Sequence, residues 1–190
     1  MTQEIEIEYK NLLTKAEFDR LLYGLPFPLS GKKQTNHYFE TKDFLLKENG
    51  CALRIREKEG RYQLTLKEPH PEGLLETHDW LTNHEANSWL DGHIIPKKNT
   101  EKQLLEQGIA IEKLLYCGQL TTVRREIPYQ DVLLVLDNST YHDQEDFEFE
   151  LEAKTRETGL QMFQHILSEH HIQHRETPNK IERFFYSMKD

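Results

Sequence analysis

The alternation in the first ten residues, Met-Thr-Gln-Glu-Ile-Glu-Ile-Glu-Tyr-Lys, constrains this chain more than any other feature. Side chains of an extended strand point to opposite faces in turn. Glu4, Glu6, Glu8 and Lys10 therefore share one face, and Ile5, Ile7 and Tyr9 share the other. The apolar face needs a core. The charged face suits either solvent or a wall that meets a metal ion and an anion.

The same phase recurs along the chain. Glu148, Glu150 and Glu152 form a second acidic row, backed by Phe147, Phe149 and Leu151. In the hairpin of residues 51–69, Leu53 and Ile55 oppose Arg54 and Arg56, and Leu64 and Leu66 oppose Thr65 and Lys67. Residues 74–81 place Glu76, His78 and Trp80 on one side, residues 120–127 place Thr122, Arg124 and Glu126 together, and a further apolar strand leads to Asp137. Like charges spaced by two residues repel, so a neutral surface would avoid such rows. A cation among the carboxylates and a polyanion among the bases remove that repulsion together, which suggests a metal-bound polyphosphate as ligand. A charged solvent face is the alternative. About eight strands suffice to close a barrel, with apolar faces outward under helices.

Helices punctuate the strands. Thr14 with Glu17, and Thr82 with Glu85, have capping-box spacing and predict helices over about residues 15–22 and in the Trp89 region. Thr100 is expected to cap a helix that stops at Gly108, and a helix is expected over about 158–168. Thr177 with Pro178 suits the start of a final helix. Residues 42–50 read as a connection ending in an Asn49-Gly50 turn.

A length of 190 residues fits one domain, 1–190, and the net charge of −9 argues against a general nucleic-acid binder. Two cysteines, Cys51 and Cys117, lack metal-ligand spacing and suit reduced thiols. No basic start with an apolar run marks a signal peptide, and no apolar run approaches the ~20 residues needed to span a bilayer. The expectation is a cytoplasmic protein without membrane or nucleic-acid partners; monomer and homodimer are both open.

Glu6-Ile7-Glu8-Tyr9-Lys10 resembles the ExExK signature of the CYTH superfamily, the triphosphate tunnel metalloenzymes. Tyr38-Phe39-Glu40-Thr41 is similar to that family's YFDT segment, with Glu where Asp is usual. Leu53–Arg56, Leu64–Lys67, Glu148–Glu152 and Lys180 resemble, in order, its LRIR, LTxK, late acidic and terminal basic elements. The resemblance covers nearly the whole chain and looks nearest to small bacterial members. It implies a mainly β, α+β fold: a closed eight-stranded antiparallel barrel, the triphosphate tunnel, with flanking helices. It implies Glu6, Glu8 and Glu152 as ligands of Mg²⁺ or Mn²⁺, with Glu150 next. Lys10, Arg54, Arg56, Lys67 and Arg124 would grip phosphate oxygens, and Lys180 and Arg183 would close the site from the tail. Glu148, Glu150 and Lys10 would act on the reacting group, with Glu148 orienting a water or serving as base. Glu76 and Asp137 would stand behind the ligands or at a second metal, though Asp137 reads equally as a turn residue; Glu4 would sit at an exposed mouth. The implied activity is metal-dependent hydrolysis of inorganic triphosphate or a small organic triphosphate. The alternatives are a class IV-type adenylate cyclase and a non-catalytic polyphosphate- or nucleotide-binding module.

Overall fold

Eight strands follow the alternation read from the sequence: β1 (Gln3–Leu13), β2 (Lys32–Thr41), β3 (Ala52–Lys58), β4 (Arg61–His70), β5 (Gly73–Leu81), β6 (Leu114–Tyr129), β7 (Val132–Tyr141) and β8 (Gln144–Ala153). The structure is a computed structural model and describes residues 2–188. The strands form a closed antiparallel barrel in the order β1-β5-β4-β3-β2-β6-β7-β8, as the alternating faces and the family resemblance led us to expect. Six helices accompany them among the described residues: α1 (Lys15–Gly24), α2 (Leu45–Glu48), α3 (Asn83–Leu90), α4 (Lys98–Glu106), α5 (Arg156–Glu169) and α6 (Lys180–Tyr186). None is long and apolar enough to cross a membrane.

The chain divides into two compact units, one of residues 2–5 with Gln34–Leu120 and one of Glu6–Lys33 with residues 121–188. Each has its own apolar cluster.

In the first unit, β3, β4 and β5 form an antiparallel meander with Ile55 opposite Leu64 and Leu53 opposite Leu66. These four side chains are fully buried and join Phe39, Trp89, Leu104 and Ile109 in one cluster. Burying each such side chain stabilises by about 1.5–3 kcal/mol relative to exposure. Thr82 and Glu85 form the expected capping box at the start of α3.

Two expectations in this unit are corrected. Helix α4 begins at Lys98, so Thr100 lies inside its first turn rather than capping it. The cap comes from Asp79 on β5, whose carboxylate accepts from the Thr100 N–H and hydroxyl (both 2.8 Å) and from Asn99 Nδ2 (2.7 Å). Residues 42–50 are not a plain connection but contain α2. The Glu40 carboxylate accepts from the N–H groups of Leu46 and Lys47 (3.0 Å each), satisfying donors that a single helical turn leaves open. Gly50, with φ 68°, ends the turn in the left-handed region.

In the second unit, residues 7–13 of β1 pair with β8, and β8 pairs with β7. Leu134, Leu136, Phe149 and Leu151 bury one face against Phe18 and Leu21 of α1 and Phe163 and Ile166 of α5. The Thr14–Glu17 capping box starts α1 as expected. Helix α5 is slightly longer than expected and starts after Thr155. The last helix starts after Asn179, not Thr177. The Glu182 carboxylate accepts from the Asn179 N–H (2.7 Å), whereas Thr177 Oγ1 accepts from the Leu12 N–H (2.8 Å) and ties the tail to β1. Pro128 and Tyr129 continue β6, so the turn to β7 is confined to Gln130 and Asp131.

Candidate functional site

The charged rows of the second unit interlock. β8 carries Asp146, Glu148, Glu150 and Glu152 in one phase, β7 sets Asp137 opposite Glu148, and β6 sets Arg124 opposite Asp137. Asp137 and Glu148 are completely buried. Asp137 is therefore a strand residue in an ionic network, not a turn residue. Arg124 donates to both of its oxygens, Nε to Oδ1 at 2.9 Å and Nη2 to Oδ2 at 2.7 Å, and also reaches Glu150 Oε2 at 2.8 Å. Lys180, the first residue of α6, brings its ammonium to Asp137 (3.0 Å), Glu148 (3.0 Å) and Glu150. Arg183, one helical turn further on, donates to Asp146 (2.9 Å), to the Pro178 carbonyl (2.6 Å) and to Glu148.

These contacts set the protonation of the network. Burial pushes the Glu148 carboxyl up, Lys180 opposes it, and neighbouring Glu150 adds to the rise, leaving it at about 7. Burial would raise Glu150 as well, but Lys180 and Arg124 outweigh it and hold that carboxyl well below its usual range. Burial works against the charge on Lys180, yet Glu148, Glu150 and Asp137 raise its affinity for the proton. The network thus stores ammonium and guanidinium groups fully charged in a buried setting, each matched by carboxylates.

On β1, Glu8 stands directly opposite Glu152 and Lys10 opposite Glu150. Facing carboxylates repel unless a cation intervenes. The Lys10 ammonium bridges to Glu8 at 2.7 Å and also to Asn179 Oδ1. Glu6 lies two residues from Glu8 on the same strand phase. Glu6, Glu8 and Glu152 supply hard oxygen donors of the type a divalent cation takes, but the structure does not gather their ligand atoms within 4.8 Å of one another. Glu150 reaches a cation only by giving up Lys180 and Arg124.

The first unit carries a second ionic cluster on the polar face of its meander. Lys67 meets Glu76 at 2.6 Å directly across β4 and β5, and Arg54 Nη2 lies 3.8 Å from the same carboxylate. Burial would raise the Glu76 carboxyl, but Lys67 and Arg54 hold it down at about 2. His78 Nε2 faces Glu76 at 3.3 Å and Glu4 at 3.1 Å, while its Nδ1 meets Thr65 Oγ1 at 3.0 Å. Glu4, Glu76 and His78 bring one ligand atom each within 4.8 Å of one another, the one such group among the described residues. Arg56 Nε donates to Asn36 Oδ1 at 3.0 Å.

The sequence-based residue set therefore falls into two groups. Arg54, Arg56 and Lys67 share one polar sheet face with Glu76 and Glu4. Lys10, Arg124, Lys180, Arg183, Glu8, Glu148, Glu150 and Glu152 belong to the other unit. Sequence reasoning passed over Asp146, Asn179, Asn36 and Gln34. Asp146 shares the phase of the late acidic row, and Gln34 and Asn36 share the phase of Tyr38, so strand periodicity held a signal for three of them.

Comparison with known proteins agrees with this architecture. The CYTH domain model matches residues 4–185. The Bacillus subtilis (strain 168) protein named "Putative triphosphatase YjbK" is 45% identical over 186 residues, 97% of this chain and 96% of that one. A crystal structure described as a "putative adenylate cyclase" from Bacillus halodurans superposes with a TM-score of 0.94 at 45% identity, covering 97% of this chain and 100% of that one. The Hippeastrum protein HpAC1, described as a "putative adenylyl cyclase" with a dominant triphosphatase activity, superposes at a TM-score of 0.78 over 96% of both chains. At 24% identity it speaks to the fold alone. The chain belongs to the CYTH domain family.

Proposed function

We propose that this protein is an enzyme that hydrolyses a triphosphate, either inorganic or carried by a small organic group. The observation that carries the reading is the buried exchange network at Lys180. One ammonium is held by Asp137, Glu148 and Glu150, beside a guanidinium that shares two of those carboxylates. A polyanion with its countercation replaces both halves of such pairs at once, so binding leaves no charge unmatched. The name of the Bacillus subtilis relative supports the same activity.

In this reading Lys10, Arg124 and Lys180 bind phosphate oxygens and neutralise charge as the terminal bridging bond breaks, and Arg54, Arg56 and Lys67 of the first unit are bases of the same kind, suited to phosphate oxygens. Arg183 holds Glu148 in place and stands at the tail end of the site. A divalent cation, Mg²⁺ or Mn²⁺, would be held by Glu6, Glu8 and Glu152 and would supply Lewis acidity to the phosphoryl group or its attacking water. Glu148, with Glu150 beside it, orients the water and receives its proton. The water oxygen bonds to the terminal phosphorus, the bridging P–O bond breaks, and orthophosphate separates from the remaining diphosphate. No covalent enzyme intermediate is involved.

A second reading, conversion of ATP to cyclic AMP and pyrophosphate, is favoured by the description of the Bacillus halodurans relative. One experiment separates the two. Purified protein is incubated with Mg²⁺ or Mn²⁺ and with inorganic triphosphate, ATP or thiamine triphosphate, and the products are resolved. Orthophosphate release that disappears in Glu8→Gln supports hydrolysis. Cyclic AMP with pyrophosphate supports the cyclase, and tight binding without turnover sinks both.

A further inference from the structure

The polar face of the first unit contains hydrogen-bonding atoms that its ion pairs do not use. On β2, Gln34 and Asn36 share one strand phase, and β3 sets Arg56 opposite Asn36 and Arg54 opposite Tyr38. All four side chains therefore lie on one face of the sheet. Gln34 is only 2% exposed and Asn36 only 1%. Asn36 uses its oxygen to accept from Arg56. Its Nδ2 has no hydrogen-bond partner, and neither do Gln34 Nε2, Gln34 Oε1 or Arg54 Nε. Three buried donors and one buried acceptor are thus left unsatisfied on this face of β2 and β3.

Folded proteins pair about nine-tenths of such groups, because a buried polar atom without a partner loses its water and gains nothing in return. The same strand shows how a structural polar residue behaves. Glu40 is also buried, and its carboxylate accepts from the backbone of Thr41, Leu46 and Lys47. A Met or Leu at position 34 would fill similar space without an orphaned amide. The surplus on this patch is mostly of donors, beside two guanidiniums, so the missing partner is rich in acceptors and anionic. Arg56 remains partly exposed on this face, which leaves a route of entry along its side chain.

We propose that Gln34 and Asn36 are substrate-binding residues, neutral carboxamides that donate from Nε2 and Nδ2 to phosphate oxygens of the triphosphate alongside Arg54 and Arg56. This rests on the triphosphatase reading and deepens it. Guanidiniums attract any polyanion, whereas a carboxamide demands that an acceptor occupy one direction. Gln34 Oε1 repels a bare phosphate oxygen and takes a hydroxyl or a water carried by the ligand. The pair therefore fixes the orientation of the chain rather than its net attraction.

The test is Gln34→Met, which keeps length and removes both polar atoms. Thermal melting of the free protein is measured with KM and kcat for inorganic triphosphate. The free variant should melt at or above the wild-type temperature, since an unsatisfied group has been removed. KM should rise about ten-fold, the loss of one good hydrogen bond to a charged oxygen, with a smaller change in kcat. A variant that melts lower and keeps the wild-type KM overturns the proposal, because Gln34 would then be structural. Gln34→Glu keeps a polar side chain and serves if the methionine protein does not fold. Its carboxylate repels phosphate, so an unchanged KM there is equally fatal. A wild-type protein that hydrolyses no triphosphate at all defeats the underlying reading and this proposal with it, a result distinct from normal turnover with an indifferent position 34.

Discussion

Arg124 grips Asp137 with two parallel hydrogen bonds, 2.9 and 2.7 Å long, across a directly paired position of β6 and β7. Asp137 is completely buried and the Arg124 side chain is only 10% exposed, so each charge depends on the other. Removing one partner of a buried pair typically costs about 3–5 kcal/mol, most of it the stranded charge. Asp137→Ala should lower the unfolding free energy measured in urea by an amount in that range, with a correspondingly lower midpoint. Arg124→Lys should fall between wild type and that variant, because an ammonium keeps the charge but not the planar fork. A wild-type midpoint in Asp137→Ala would mean that Glu148 and Glu150 alone suffice for both cations.

Acid should act on the first unit through Glu85. Its hydrogen bond from Lys97, with the Thr82 cap, holds its carboxyl at about 2 against an ordinary value of 4.5. A depressed folded value means stability that is present above pH 4.5 and disappears as pH falls toward about 2. Glu85→Gln, which keeps a capping side chain but not the charge, should be less stable than wild type at pH 7. The gap in melting temperature should close progressively below pH 4.5. A constant gap down to pH 2 would refute this assignment.

Glu152 faces Glu8 across β1 and β8. Glu152→Gln removes one of two opposed carboxylates, so the fold should lose little. Activity should fall by at least about 10²-fold, the upper end of what losing an outer partner of a metal ligand costs, and the metal concentration needed for half-maximal rate should rise. Chelation of wild type should have the same sign, restored by added Mg²⁺ or Mn²⁺. A Glu152→Gln enzyme with an unshifted metal requirement would remove Glu152 from the ligand set.

Gly159 sits inside α5, where alanine is ordinarily the better helix former. A Cβ there would come within 2.7 Å of Tyr9 Cε2 and 2.8 Å of Ala153 Cβ. The Tyr9 hydroxyl donates to the Arg156 carbonyl at 2.9 Å, which restrains the ring. Gly159→Ala should therefore destabilise by about 1–2 kcal/mol, overpacking outweighing propensity. A raised melting temperature would show that Tyr9 swings clear.

Much of the fold was legible because strand alternation is a local signal. Ile55 and Arg54, or Phe149 and Glu150, separate by phase without any knowledge of their neighbours. Capping boxes at Thr14 and Thr82 were legible for the same reason, since both partners lie within four residues. The errors arose where a distant side chain took over a local task. Asp79 caps α4 from another strand, Thr177 is drawn away by the Leu12 backbone, and Glu40 builds α2 from a turn-like segment. In the site, the sequence indicated which residues bear charge on each face. It did not indicate that Lys180 would be shared by Asp137, Glu148 and Glu150, because that depends on β7–β8 register and on where α6 docks. Gln34 and Asn36 stayed silent because an amide on a strand looks ordinary until its lack of partners is seen.

The two compact units are not successive along the chain: the backbone passes from one to the other within β1, again within β2 and again within β6. No contiguous stretch of coding sequence specifies either one. A recombination that exchanged one unit for that of a relative would need several coordinated splices, each inside a strand. An exchange that carried the Arg54–Lys67–Glu76 cluster alone would have to cut inside β2 and inside β6, leaving each of those strands with residues from two parents.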